Sequence, residues 1–293
     1  MKHAWTIRRG LTVIEVVICV LIVVLVLAIA LPTCGSRSHR PYRQLRDSSQ
    51  VRGIVQAMSI WAGNNKDQYP LPSLIDLGDE TVKDSGRAKD TTANIMSIML
   101  YNGSVPTDIL VSAAEANPKI QQFSGYEFNT PKAAVSPEKA LWDPAFNVDF
   151  TGAKPGGFSY GHLVPTTERL PQWSNAFNAS LAVLGNRGPE IASVTKKNSP
   201  VVSARVKDPN TNTFLIHGAR TAWEGNIGFN DAHVDFCTNF GDGGWGTYNA
   251  TDGQKWRDVL FFDEPDDTAK TNAYLGMFTT AGASAAEFRA IWD

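Results

Sequence analysis

The residues whose types and spacing could do chemistry are His217, Asp231 and His233. Two imidazoles and a carboxylate are ligands that zinc and other transition metals accept in proteins. Asp231 and His233 are two positions apart, and such residues project to the same face of a strand. His217 on a paired strand would complete the set. A turn aspartate that accepts backbone N–H groups, beside a half-exposed strand histidine, explains the same residues without a metal.

The elements that must position these residues are predicted to be short antiparallel strands joined by long loops. After Phe123, Gly, Pro, Asn and Ser interrupt short apolar runs, a pattern typical of such strands. The predicted strands are residues 158–163, 180–184, 213–217, 225–229, 233–237 and 258–262. Residues 230–232 are predicted to form a tight turn between two of them. Helices are predicted at residues 92–100 and 107–115.

Two acidic stretches, residues 208–213 and 263–267, offer the oxygen ligands that calcium prefers. The first lacks the Gly and Glu of an EF-hand loop, and a solvated turn explains either stretch. The Gly-rich residues 241–246 precede no predicted helix and carry no Lys-Ser/Thr, so they do not match a phosphate-binding loop. We therefore expect no enzyme and no resident cofactor, with zinc or calcium as the ions to test.

The first residues combine a basic leader with a long apolar segment. Arg8, Arg9 and Gly10 precede Leu11, and no residue from 16 to 31 is charged. About 20 apolar residues are enough for a helix to cross a hydrocarbon core of about 30 Å. Glu15 near one end of this segment requires a cationic partner, because a carboxylate in apolar surroundings is unfavourable. The amino group of a neighbouring copy, freed by a cut after Gly10, would be such a partner.

This N-terminal pattern resembles the class III signal of type IV prepilins and type II secretion pseudopilins. In that family a prepilin peptidase cuts after the Gly on the cytoplasmic side and methylates the new amino terminus. The resemblance implies a cut between Gly10 and Leu11. It also implies that Glu15 docks each subunit onto other pilin or pseudopilin subunits. Pro32, the twenty-second residue after that cut, matches a Pro that pilins often carry there.

A second resemblance lies near the C-terminal end. Residues 223–236 are similar to those of a large group of bacterial prepilin-type proteins, which end in a His, a spacer, an apolar strand and Asp-Gly-His-Val or Asp-Gly-Ser-Val. Here the spacer from His217 to Asp231 is longer than the usual nine residues, and Ala232 replaces the Gly. If the turn needs positive φ at that position, the alanine should destabilise it by about 1 kcal/mol.

The resemblance implies an α+β, pilin-like fold. A long N-terminal helix, with a membrane half and an amphipathic half, would pack on an antiparallel β-sheet head with long loops. The amphipathic half is indicated by an apolar stripe at helical spacing, formed by Val51, Ile54, Val55, Met58 and Trp61. The expected domains are a cytoplasmic leader at 1–10, a helix at 11–64 kinked near Pro32, and an extracytoplasmic head at 65–293.

We interpret the chain as a structural subunit of a type IV pilus or a type II secretion-like pseudopilus. It would be a single-pass inner-membrane protein, with its leader in the cytoplasm and its head outside, and after assembly part of a periplasmic or cell-surface filament. Eight of the 27 basic and two of the 29 acidic residues precede residue 53, so the remainder carries a net charge of −8. Nucleic acid is therefore not an expected partner.

The alternative is a membrane-anchored or lipidated extracytoplasmic enzyme or ligand-binding protein. It would use His217, Asp231 and His233 as its site. Lipidation would fall on Cys34, because residues 31–34 crudely match a lipoprotein signal. The chemical state of the amino terminus distinguishes these classes.

Overall fold

The fold is that of a computed structural model, which describes residues 13–30, 40–240 and 246–293. The chain divides into two compact units, Met1–His39 and Arg40–Asp293. The described part of the first unit is helix α1, Val13–Ala30. The α-helices described in the second unit are α2 (Arg40–Asn64), α3 (Pro72–Ile75) and α4 (Thr92–Tyr101).

The strands of the second unit are short and pair antiparallel. They are β1 (Tyr160–Leu163), β2 (Ala182–Asn186), β3 (Ile191–Lys196), β4 (Val202–Val206), β5 (Gly225–Phe229), β6 (Val234–Cys237), β7 (Thr247–Asn249), β8 (Lys255–Arg257), β9 (Leu275–Gly276), β10 (Phe278–Thr280) and β11 (Arg289–Ala290). Five of them form one sheet in the order β6-β5-β2-β1-β9. The others pair as β3 with β4, β7 with β8 and β10 with β11.

Helix α2 packs on strands β5, β2 and β6 of the five-stranded sheet. Val51, Ile54, Val55 and Met58 are fully buried, as the stripe of an amphipathic helix should be. Gly228 of β5 permits the close approach, because a Cβ atom there would lie only 2.8 Å from Cγ1 of Val51. One part of the core of the second unit therefore lies between this helix and this sheet.

The structure corrects the predicted fold class. The described chain is built mostly from antiparallel sheets with few helices, and its first two helices belong to separate compact units. The prediction of a pilin-like α+β fold with one long N-terminal helix was therefore wrong. Apolar periodicity predicts where a helix forms, but it does not predict whether two successive helical segments form one continuous helix. The predicted leader at 1–10 and the predicted kink at Pro32 lie outside the described residues.

The membrane predictions are corrected as well. Within residues 13–30, 40–240 and 246–293, no helix combines the length and the apolar character that a membrane crossing needs. Helix α1 has 18 residues. The predicted transmembrane helix, the membrane-inserted prepilin and the single-pass inner-membrane location are contradicted by this finding.

The helix predicted at residues 107–115 was wrong, whereas α4 lies where a helix was predicted. Residues 107–115 form turns, and a side chain from α2 binds their backbone. Gln50 donates from Nε2 to the carbonyl of Val111 at 2.9 Å and accepts from the N–H of Ala113 at 2.9 Å. These bonds replace the ones that a helix would make with itself.

Two predicted strands were also wrong. Residues 213–217 overlap a 3-10 helix at Asn212–Phe214 and continue as a turn. At the start of that helix the Thr211 hydroxyl accepts from the N–H of Thr213 at 3.2 Å. Residues 258–262 lie in turns, and the N–H of Val259 donates to Glu264 Oε1 at 2.9 Å. In both segments a nearby polar side chain accepts from a backbone N–H group, as is typical of turns.

His162 of β1 is a fully buried imidazole that makes two hydrogen bonds. Its Nδ1 lies 2.8 Å from the carbonyl oxygen of Leu163, and its Nε2 lies 2.7 Å from the hydroxyl oxygen of Thr92. Because a carbonyl only accepts, Nδ1 carries the proton and Nε2 accepts from Thr92. Burial lowers the pKa of His162 from 6.5 to about 4. The imidazole is therefore neutral in the folded chain at neutral pH.

We expect His162 to make the folded chain sensitive to acid. Between pH 6.5 and about 4 the unfolded histidine binds a proton and the folded one does not. The free energy of unfolding should therefore fall through this window, by about 3 kcal/mol in full. His162→Gln has no group that titrates there. Urea unfolding at about pH 7.5 and about pH 4.5 measures the free energy of unfolding. Its fall between the two pH values should be smaller in the variant than in the wild type. Equal losses would contradict this role.

Candidate functional site

His217 lies inside the second unit rather than on a strand at the surface. Its side chain is 1% exposed, and its Nε2 lies 3.3 Å from Oδ2 of Asp47. The same nitrogen lies 3.1 Å from Oδ1 of Asn186. Both neighbours are acceptors, so Nε2 carries the proton. The ring meets Phe236 edge to face, with centroids 5.1 Å apart.

Asp47 of α2 is the centre of a buried polar network. Its carboxylate is fully buried and collects donors from several segments of the chain. Besides His217 Nε2, the donors are the hydroxyl of Tyr160 at 3.2 Å, Nδ2 of Asn186 at 3.2 Å, Nδ2 of Asn226 at 2.5 Å and the hydroxyl of Ser112. Burial, with the Asp47 charge, raises the pKa of Tyr160 well above its usual value, so that Tyr160 remains a donor. The network joins α2 to strands β1, β2 and β5.

An aspartate beside a histidine is also the orienting half of many catalytic sites. Here the Asp47 and His217 side chains are both buried beneath α2. A substrate could reach them only if the helix left the sheet. The arrangement therefore serves to hold α2 on the sheet, because fully hydrogen-bonded buried groups fix one packing.

Asp47 was not predicted as a site residue, although the sequence carries a signal for it. Asp47 lies four positions before Val51 and seven before Ile54, on the same face of α2 as the apolar stripe. A charged residue on the buried face of a helix requires buried partners. The face of α2 on which Asp47 lies therefore predicts the network, whereas the arginines near it in the sequence do not.

Asp231 and His233 lie in an exposed turn before β6. The backbone N–H of His233 donates to Asp231 Oδ1 at 3.0 Å, and this bond holds the pKa of the carboxyl below its usual range. The Nδ1 atom of His233 also bonds Asp231, and its ring stacks on Phe229 with centroids 4.2 Å apart. Asp231 is therefore a turn aspartate, one of the two alternatives that the sequence left open.

The structure does not bring the three predicted metal ligands together. His217 belongs to the buried network, whereas Asp231 and His233 pair with each other at the surface. In the part of the chain that the structure describes, no three His, Cys, Asp or Glu side chains are placed to hold a metal ion. The zinc hypothesis has no supporting geometry among these residues.

The stretches considered for calcium organise their own loops. Asp208 Oδ1 accepts from the N–H of Asn210 at 2.8 Å. Asp267 Oδ2 accepts from the N–H groups of Thr271 at 2.7 Å and Asn272 at 2.8 Å. These carboxylates make the side-chain-to-backbone bonds that are typical of turns.

The turn beside β6 is strained at Ala232, which has φ of +65°. A Cβ atom is unfavourable in this left-handed region, whereas glycine adopts it freely. We expect Ala232→Gly to raise the free energy of unfolding by about 1 kcal/mol. Ala176 is exposed and does not have a positive φ, so Ala176→Gly should not raise the free energy of unfolding. Chemical unfolding of both variants measures this, and an unchanged stability of Ala232→Gly would show that the turn is unstrained.

Helix α1 presents an exposed apolar surface between residues 13 and 23. Val13 and Ile14 are 82% and 70% exposed, and the large side chains from Val16 to Val23 are between 48% and 63% exposed. Glu15 lies in the first turn, where a carboxylate interacts favourably with the helix dipole. Exposed apolar surfaces of this kind mark sites of association. Gly10, Leu11 and Pro32 lie outside the described residues.

Comparisons with protein-family models, curated proteins and solved structures find no match to the chain. The function is therefore inferred from the chain's own residues. Two features bear on it, the polar network closed beneath α2 and the exposed apolar helix α1.

Proposed function

We propose that the chain is a structural subunit of a filament of the type IV pilus or type II secretion pseudopilus kind. It would be cut by a prepilin peptidase after Gly10 and would assemble through α1. The observation that carries this proposal is the exposed apolar surface of α1, with a single carboxylate at its N-terminal end.

Burial of α1 between subunits would supply the driving force. Full burial of a Val, Leu or Ile side chain contributes about 1.5–3 kcal/mol relative to exposure in water. Seven such side chains between residues 16 and 23 are now about half exposed. Identical subunits that bury this surface head to tail form an open filament rather than a closed dimer.

Glu15 would set the position of each subunit along the filament. A carboxylate that enters an apolar interface must be paired, because its desolvation is unfavourable by several kcal/mol. The family resemblance gives the Leu11 amino group of an adjacent subunit as the cation, and cleavage after Gly10 would create it.

The alternative function, an enzyme or ligand-binding protein, would need His217, Asp231 and His233 to converge. The burial of His217 against Asp47 and the surface pairing of Asp231 with His233 favour the subunit role instead. Among the described residues, no three His, Cys, Asp or Glu side chains are placed to hold a metal ion for such a site.

Glu15→Ala tests the proposal. We expect cleavage to be unaffected and incorporation into assemblies to fall by about tenfold or more, since the partner cation would be buried unpaired. Co-expression with a prepilin peptidase, followed by sedimentation and the mass of the amino terminus, measures both steps. Glu138→Ala, at an exposed site of the second unit, should assemble normally. Normal assembly of Glu15→Ala would overturn the docking role.

A further inference from the structure

An open cleft of about 490 Å³ lies in the second unit, between the loops at 117–119 and 150–151 and residues 292–293. Asn212, the first residue of the 3-10 helix that follows β4, completes its wall. Clefts of about 300–1,000 Å³ are of the size that binds small ligands in proteins. The residues that line this cleft belong neither to helix α1 nor to the polar network beneath α2.

The polar side of the cleft is supported by a buried ion group. Arg187 donates from Nε and Nη2 to the two oxygens of Glu115 at 3.0 and 2.6 Å, and from Nη1 to Asp293. The three side chains are no more than 5% exposed. The guanidinium also lies over the ring of Phe150, 5.4 Å from its centroid. These contacts hold Asp293 and Phe150 in place at the cleft.

Asn117 lines the cleft with an amide whose orientation is fixed. The residue is 8% exposed. Its Nδ2 donates to Oδ1 of Asp293 at 2.6 Å, and its Oδ1 accepts from the N–H of Lys119 at 2.9 Å. A primary amide has two N–H groups and two acceptor positions. One of each is used by these bonds, so Asn117 can still donate one hydrogen bond and accept one.

Trp292 supplies an aromatic surface to the cleft. Its side chain is half-buried, packs against the hydrophobic core of the second unit and lines the cleft. The face of an aromatic ring is partly negative and attracts the weakly positive C–H groups of a ligand. The cleft therefore offers an apolar face together with amides that both donate and accept.

We propose that this cleft binds a neutral saccharide. A sugar ring has an apolar face of C–H groups and a rim of hydroxyls that each donate and accept hydrogen bonds. Trp292 matches the C–H face, and the amides of Asn117 and Asn212 match the hydroxyls. The inference goes beyond the proposed function, because the cleft belongs to the second unit and its binding does not require assembly through α1.

The charges at the cleft favour a neutral ligand over an ion. Lys119 and Asp293 line the cleft, and Arg187 and Glu115 support it, so that two positive charges balance two negative ones. An ionic ligand would lose its hydration without gaining an excess of opposite charge. A saccharide with hydroxyls and no ionised group avoids this unfavourable desolvation.

Isothermal titration calorimetry of the full chain tests the ligand class. The probes are maltotriose, cellotriose and triacetylchitotriose, which are neutral, and trigalacturonate, which is anionic. We expect at least one neutral probe to bind with a Kd of about 1 mM or lower, and trigalacturonate to bind at least about tenfold more weakly. Failure of every neutral probe to bind at about 10 mM, or binding of trigalacturonate alone, would overturn the proposal.

Variants place the bound saccharide in the cleft. Trp292→Ala should weaken the binding of that probe by about tenfold, and Asn212→Ala, at a half-exposed position, by about fivefold. Trp61→Ala removes another half-buried tryptophan, which lies outside the cleft, and should bind as the wild type does. Urea unfolding shows whether each variant is folded, and if Trp292→Ala is not, Asn212→Ala decides the result. Wild-type affinity in the folded cleft variants would overturn the proposal.

Discussion

Asp47→Ala should lower the free energy of unfolding of the second unit by about 3–5 kcal/mol. The substitution removes a fully buried carboxylate and leaves its donors, including His217 and Asn226, without their acceptor. Each buried donor that loses its partner destabilises the fold by about 1–3 kcal/mol. Small domains have only about 5–15 kcal/mol in total, so the variant should unfold at much lower urea concentration.

The control for Asp47 is Asp84→Ala, which removes an exposed carboxylate and should change the stability by less than about 0.5 kcal/mol. Asp47→Asn keeps the shape of the side chain but turns N–H groups toward other donors, so it should also be destabilised. Urea unfolding followed by tryptophan fluorescence measures all three. If Asp47→Ala is as stable as the control, the network does not hold α2 on the sheet.

Lysines at Ile18 and Ile22 together should abolish assembly and leave the second unit folded. The two positions lie one turn apart on α1, and both side chains are about half exposed. Burying two ammonium groups in an apolar interface is unfavourable by several kcal/mol each, which exceeds what the remaining contacts can offset. Because α1 belongs to a separate compact unit, the unfolding curve of the second unit should not change.

Sedimentation of the processed chain measures this loss of assembly, with urea unfolding as the test of the fold. The matched control replaces Val135 and Leu215, two exposed apolar side chains of the second unit, with lysine. That control changes net charge equally and should assemble as the wild type does. Assembly of the Ile18/Ile22 variant at the level of the control would show that another surface carries the association.

Local patterns predicted the parts of the fold that depend on local sequence. The spacing of Val51, Ile54, Val55 and Met58 predicted the buried face of α2, because helical periodicity reports which side meets the core. Apolar runs bounded by turn residues likewise predicted β5 and β6. The alanine in the turn between them was predicted to be strained if φ is positive there, and φ of Ala232 is positive.

The wrong predictions depend on contacts between distant residues. Residues 107–115 have a helical pattern, but Gln50, more than 55 positions earlier, binds their backbone. His217 and Asp231 were grouped because both types ligate metals, yet the partner of His217 is Asp47, 170 positions earlier. Tertiary hydrogen bonds of this kind override local propensity.

The mass of the amino terminus in chain recovered from assembled material tests the central claim most directly. Cleavage after Gly10 and assembly through α1 require that every incorporated copy begins at Leu11, while unassembled chain is a mixture of cut and uncut forms. An intact Met1 in the assembled copies, or a lipid on Cys34, would contradict the filament-subunit proposal.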